Sequence, residues 1–108
     1  MSRRLIFTPA AKTDLLDIAH YIEVQSGHID VAEAFVGKLV AHCERIARSP
    51  VLLGRSRPEL LPDIRSVASG KYLIFIRYIG PTDSPDTVEV VNILRGRRDL
   101  EAFFKGST

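Results

Sequence analysis

Two apolar runs separated by a short polar segment limit what this chain can fold into. Residues 72–78 hold Tyr72, Leu73, Ile74, Phe75, Ile76, Arg77 and Tyr78; residues 88–94 hold Val88, Glu89, Val90, Val91, Asn92, Ile93 and Leu94. β-Branched and aromatic side chains pack well on a pleated surface, so both runs read as strands. Between them Gly80, Pro81, Asp83, Pro85 and Asp86 favour a reversal. The spacing predicts an antiparallel hairpin with a loose loop. Neither run alternates cleanly between apolar and polar residues, which predicts cover on both faces of the hairpin, as at the centre of a small sheet. Arginines bracket the unit: Arg65 between Ile64 and Ser66 opens it, and Arg95, Gly96, Arg97, Arg98 and Asp99 close it.

The segment before the hairpin reads as helical. A short apolar run, Leu5 to Phe7 after Arg4, predicts a strand at a sheet edge. Thr8 and Pro9 follow; a threonine hydroxyl caps free backbone N–H groups, and proline suits the first helical position. Ala11, Leu15, Ile18, Ala19 and Ile22 then recur at helical spacing until Ser26 and Gly27, where a left-handed cap is expected. Asp30 and Glu33 form a capping-box-like pair that predicts the start of a second helix there. Its stripe is Phe35, Val36, Leu39, Val40, Cys43, Ile46 and Ala47, and it ends at Ser49 before Pro50. The short link makes the two helices an antiparallel hairpin. Three prolines and a glycine make residues 50–63 a connecting loop, which Leu52, Leu53, Leu60 and Leu61 pin to the core. A short strand is expected around residues 64–67, and a last short helix, capped by Asp99 and carrying Leu100, Phe103 and Phe104, follows the hairpin. The fold class is α+β: a small antiparallel sheet against an N-terminal helical hairpin, in the order β-α-α-β-β-β with a short C-terminal helix.

With 108 residues, one domain over residues 1–108 is expected, large enough to bury a core without staples. The net charge of +2 is too weak to argue by itself for nucleic acid, so the placement of the arginines matters more than their sum. A lone cysteine, Cys43, excludes an internal disulfide and fits a reducing compartment. Neither a signal peptide nor a membrane span is expected.

Most catalytic chemistries lack their residues. His20, His28, His42 and Cys43 do not stand at metal-ligand spacing, and His42 and Cys43, being adjacent, point to different faces of the second helix. Cys43 lies inside an apolar stripe, and no glycine-rich elbow surrounds a serine. Asp14 and Asp17 read as solvated charge on a helix surface. The arginines remain: Arg65, Arg77, Arg95, Arg97 and Arg98 all lie in or beside the expected sheet. If strand pairing gathers several on one face, they form a phosphate or carboxylate site. Otherwise they are rim residues paired with Glu59, Asp63, Glu89 or Asp99.

Taken jointly, several short stretches resemble the RelE/ParE superfamily of toxins from bacterial type II toxin–antitoxin systems, and the ParE branch most. They are Phe7, Thr8, Pro9, Ala10 and Ala11 leading to Asp14 and Leu15; Ile18 to Ile22; Ala34, Phe35 and Leu39; Ser49 and Pro50 with Gly54 and Arg55; Arg57 to Leu60; Ile64 to Ser66; Tyr72 to Phe75; and Val88 to Leu94 before Gly96 to Asp99. RelE-type members cut messenger RNA on the ribosome, using lysines, arginines and a C-terminal tyrosine. On that resemblance Arg65, Arg97 and Arg98 would carry catalysis. The chain departs from that set: its C-terminal aromatics are Phe103 and Phe104, and Arg55 and Arg57 stand where a lysine cluster would precede Arg65. Phenylalanine has no hydroxyl, and arginine stays protonated.

The ParE resemblance implies a non-hydrolytic inhibitor of DNA gyrase with no cofactor, acting in growth inhibition and plasmid stabilisation in the cytoplasm. Target-binding candidates are Arg65, Arg77, Arg95, Arg97, Arg98, Phe103 and Phe104, of which Arg95, Arg97, Arg98 and residues 103–108 are expected to be exposed. The resemblance also implies a ParD-like antitoxin that wraps the toxin in a hetero-oligomeric complex, with DNA contacted only through that complex. Its candidate docking residues are Leu5, Phe7, Leu15, Ile18, Tyr21 and Ile22. The alternatives are a ribosome-dependent endonuclease and a non-toxic module that still binds antitoxin.

Overall fold

The computed structural model describes residues 2–96 and 99–106. The hairpin at its centre joins β4 (Tyr72–Ile79) to β5 (Thr87–Arg95). Tyr72 pairs with Arg95 at one end and Ile79 with Thr87 at the other, and a bulge at Phe75/Ile76 leaves Val91 as the extra residue. The Asp86 amide donates to Ile79 O (3.0 Å) and closes the loop. Gly80 makes that closure possible: its φ is +120°, and a Cβ there would lie 2.8 Å from Asp86 Oδ1.

The sheet has five strands in the order β1-β5-β4-β3-β2. β1 (Arg4–Phe7) lies at one edge, parallel to β5 from Arg4↔Thr87 to Phe7↔Val90. β3 (Arg65–Ser69) runs antiparallel to β4, and the other edge is β2 (Arg55–Ser56) beside β3. β2 lies inside the segment read as a loop. Two residues are too short to carry a periodic signal, and β3 supplies the pairing.

The helical hairpin is α1 (Pro9–Ser26) and α2 (Ile29–Arg48). Thr8 caps α1 by accepting from the Ala11 amide (3.0 Å), and Gly27 ends it at φ +74°. α2 begins earlier than the Asp30/Glu33 pattern predicts. His28 is its N-cap and makes no side-chain cap bond, because Gly27 ends α1 one residue before it and the chain re-enters helical geometry at once. Asp30 thereby falls in the first turn, where its charge still suits the helix dipole.

Both faces of the sheet are covered. On one, Ile18, Leu39, Cys43 and Ile46 of the helices meet Tyr72, Ile74, Ile76, Val88, Val90 and Ile93. On the other, Leu60 and Ile64 from the loop and Phe104 from α3 (Leu100–Gly106) meet Phe75 and Leu94. Asp99 caps α3, its carboxylate accepting from the Ala102 amide (3.2 Å). The third helix thus packs opposite the other two, and this accounts for the lack of alternation along both hairpin strands. Within the 50–63 loop Leu53, Leu60 and Leu61 pack inward as expected, whereas Leu52 is exposed.

Candidate functional site

Strand register separates the arginines. Arg65 pairs with Ile76, so it faces the helical hairpin, whereas Arg77 is opposite Glu89 on the other face. Arg95 is at the far end of β5, beside Tyr72. Arg97 and Arg98 lie outside the described residues, as do Ser107 and Thr108. Arg65, Arg77 and Arg95 therefore form no single anion site.

Each of the three has its own surroundings. Arg77 donates to Glu89 Oε1 through Nε (3.1 Å) and Nη2 (2.8 Å), with Asp63 at 3.8 Å, as a rim ion pair would. Arg65 donates to Gly54 O (3.2 Å), and its guanidinium lies 5.8 Å from the centre of the Tyr78 ring. Arg3 lies 5.4 Å from the same ring and donates to Pro85 O and Ser49 O. Tyr78 Oη accepts from the Leu53 amide (2.8 Å). Together Arg3, Arg65 and Tyr78 fasten residues 49–54, a segment with no ladder of its own, to the sheet. Arg95 is exposed, 6.0 Å from the Tyr72 ring centre. In the loop before Arg65, Arg57 donates to Glu59 (2.7 Å) and holds that carboxyl below the usual carboxylate range.

The C-terminal aromatics point inward. Phe104 is 2% exposed, with its ring 5.0 Å from Phe75 and 5.2 Å from Phe103, both edge-on. The expectation of an exposed end thus fails at Phe104. Burying Phe75 and Leu94 requires cover, and α3 supplies it. Phe103 is half-buried in the same cluster.

The docking candidates are mostly committed to the core. Ile18 is 6% exposed, and Leu5, Phe7, Leu15 and Ile22 pack against the core beneath the helices; Tyr21 alone among the six is exposed. The apolar side chains that stand free on the helical hairpin are Leu16, Val24, Ile29 and Val31.

An open groove of about 530 Å³ lies between α1 and the end of β5, lined by Asp14, Asp17, Ile18, Tyr21, Tyr72, Ile93, Leu94 and Arg95. Asp14 is not the solvated charge expected of it. Its Oδ2 accepts from the Ile93 amide (2.9 Å) and from Asn92 Nδ2 (3.0 Å), fastening α1 to β5 where β1 no longer runs alongside. The sequence signal was Asn92, a polar residue in an apolar strand that requires a buried partner. Among the described residues no three His, Cys, Asp or Glu side chains converge as metal ligands would. His42 Nδ1 lies 3.0 Å from Ser69 Oγ; burial, aided by the charge of Arg45, lowers its pKa. Cys43 is buried, and desolvation pushes its thiol up to about 12.

In solved structures the chain is similar to one from the chromosomal ParDE toxin–antitoxin system of P. aeruginosa. The TM-score is 0.70 at 21% identity, covering 87% of this chain and 96% of that one. It is also similar to a chain of the toxin–antitoxin complex RelBE2 from Mycobacterium tuberculosis, with a TM-score of 0.64 at 18% identity, covering 91% and 95%. At these identities the likeness is one of fold. Among curated proteins nothing matches. A family model described as the ParE toxin of type II toxin–antitoxin system, parDE, matches residues 5–100, so the chain belongs to the ParE toxin family.

Proposed function

We propose that this toxin inhibits DNA gyrase by binding it, without cutting nucleic acid, and is held inactive in the cytoplasm by a ParD-like antitoxin. The observation that carries the reading is Phe104. Transesterification of RNA needs a group to take a proton from the 2′-hydroxyl and another to protonate the leaving oxygen. The C-terminal aromatic here has no hydroxyl and is spent on the apolar face with Phe75. Of the arginines that an endonuclease would use, Arg65 is tied to Gly54 and Tyr78. The family match and the two neighbouring toxin–antitoxin complexes support an antitoxin partner. Arg95, exposed at the end of β5, is the described arginine best placed to meet the target. No helix among the described residues is long and apolar enough to cross a membrane.

The test is a supercoiling assay with gyrase from the native host and the purified toxin, with and without antitoxin, beside a translation mixture read for messenger cleavage. Loss of supercoiling with accumulation of cleaved DNA, reversed by antitoxin, is the expected result. Full supercoiling together with messenger cleavage would overturn it in favour of an endonuclease. Full supercoiling with intact messenger would leave a module that only binds antitoxin.

A further inference from the structure

The charges on α2 are sorted by side. Lys38, His42 and Arg45 stand four and three residues apart, so they share one flank of the helix; Glu33, Val40 and Glu44 share another. The basic flank is the one turned to β3, because His42 Nδ1 meets Ser69 Oγ at 3.0 Å. Arg45 is close enough to His42 for its charge to help hold the imidazole pKa down. Lys71 stands in the turn between β3 and β4, just past Ser69. Lys38, Arg45 and Lys71 are exposed, and among the described residues none of the three meets a carboxylate. The ion pairs lie elsewhere, at Arg57 with Glu59 and at Arg77 with Glu89 and Asp63. The helix dipole accounts for Arg45 in the last turn of α2, but not for Lys38 in mid-helix or for Lys71 outside it.

We propose that this strip binds the phosphate backbone of duplex DNA directly, with Lys38, Arg45 and Lys71 as the phosphate contacts. It is a contact of the toxin itself, beyond any made through the antitoxin complex. Lys38 and Arg45 are two helical turns apart, about 10 Å along the axis of α2. Phosphates of one DNA strand advance about 3.4 Å each along the duplex, so the two cations span roughly three of them. Contact with a duplex backbone needs no aromatic platform of the kind on which single strands stack their bases. The strip offers none: Phe35, one turn before Lys38, is packed edge-on against Tyr72 at 5.8 Å. A whole-chain charge of only +2 conceals the strip, because carboxylates elsewhere offset it. The choice of DNA over structured RNA rests on the gyrase reading, since gyrase presents a bound duplex.

The test is fluorescence anisotropy of a labelled duplex of mixed sequence, titrated with purified toxin in the absence of gyrase and antitoxin. With three phosphate contacts, affinity should fall about 40-fold between roughly 50 and 200 mM salt, a logarithmic slope of about −2.7. Lys38→Gln, Arg45→Gln and Lys71→Gln should each weaken binding several-fold on any sequence and reduce that slope by about one. Lys12→Gln makes the same charge change at an exposed position of α1 and should leave affinity and slope unchanged. Unfolding midpoints check that all four variants fold. No salt-dependent binding by the unmutated toxin, or equal weakening by Lys12→Gln and the strip variants, overturns the proposal. Tighter binding to RNA of the same sequence overturns it in favour of RNA. Supercoiling by gyrase, measured with the unmutated toxin, separates the two readings. Intact supercoiling with the duplex bound overturns the gyrase reading alone, and inhibited supercoiling without duplex binding overturns the strip alone.

Discussion

Replacing Phe104 by alanine tests whether the C-terminal helix is part of the folded toxin or an appendage available to a target. Phe104 is 2% exposed and touches Phe75 and Phe103 edge-on. Truncating a buried phenylalanine costs about 3–5 kcal/mol, from lost transfer free energy and the cavity left behind. Loss of edge-on partners is included in that range. Because α3 is seven residues long and terminal, it can partly fray, which places the expected loss near the lower bound, about 3 kcal/mol. At roughly 4–8 °C per kcal/mol, the unfolding midpoint should fall by about 12–24 °C. Phe104→Leu keeps most of the volume and should cost only about 1–1.5 kcal/mol. Urea denaturation followed by circular dichroism measures both. A Phe104→Ala loss below about 0.5 kcal/mol, the level of an ordinary surface change, would refute the reasoning. Phe104 would then be free to serve as a contact with the target.

Other positions give sharper single readouts. Gly80→Ala should destabilise the fold by about 1–3 kcal/mol in the same denaturation assay, since its φ of +120° and the 2.9 Å approach of the Asp86 amide leave no room for a Cβ. His42 has a folded pKa below its unfolded value of about 6.5, so its neutral form contributes stability that is complete above that pH. That contribution is lost as pH falls through the folded pKa. Stability measured from pH 7 down to pH 5 should therefore decline less in His42→Gln than in the unaltered chain. Cys43, with its thiol pushed up to about 12, should not react with a disulfide reagent at pH 8 until urea unfolds the protein; labelling of the native thiol at the rate of a free one would contradict its burial.

The elements legible in the sequence were those whose signal is local. Thr8, Pro9 and Gly27 bound α1 by capping chemistry that needs no tertiary partner, and the hairpin at residues 72–95 follows from side-chain type and turn residues. Where a third segment decides the outcome, reading the chain fails. β2 exists because β3 offers it an edge. Asp14 looks like a surface charge until β5 brings Ile93 and Asn92 to it. Arg65 and Arg77 look like neighbours in one site until register puts them on opposite faces, because one residue of offset in a strand reverses a side chain. Phe104 looks like a free end until Phe75 is seen to need cover.

The parallel pairing of β1 with β5 has a consequence during synthesis. Arg4 and Leu5 leave the ribosome long before their partners Thr87 and Val88, because both helices of the hairpin and three strands are translated between them. Until then the helical hairpin, formed from local contacts, carries the stripe of Leu39, Cys43 and Ile46 with no sheet to cover it. Emergence is slow, about 5–20 residues per second, so that stripe stays bare for some seconds on each nascent chain. The sheet, and with it the cover over the helical stripe, closes only when β5 takes its place between β1 and β4.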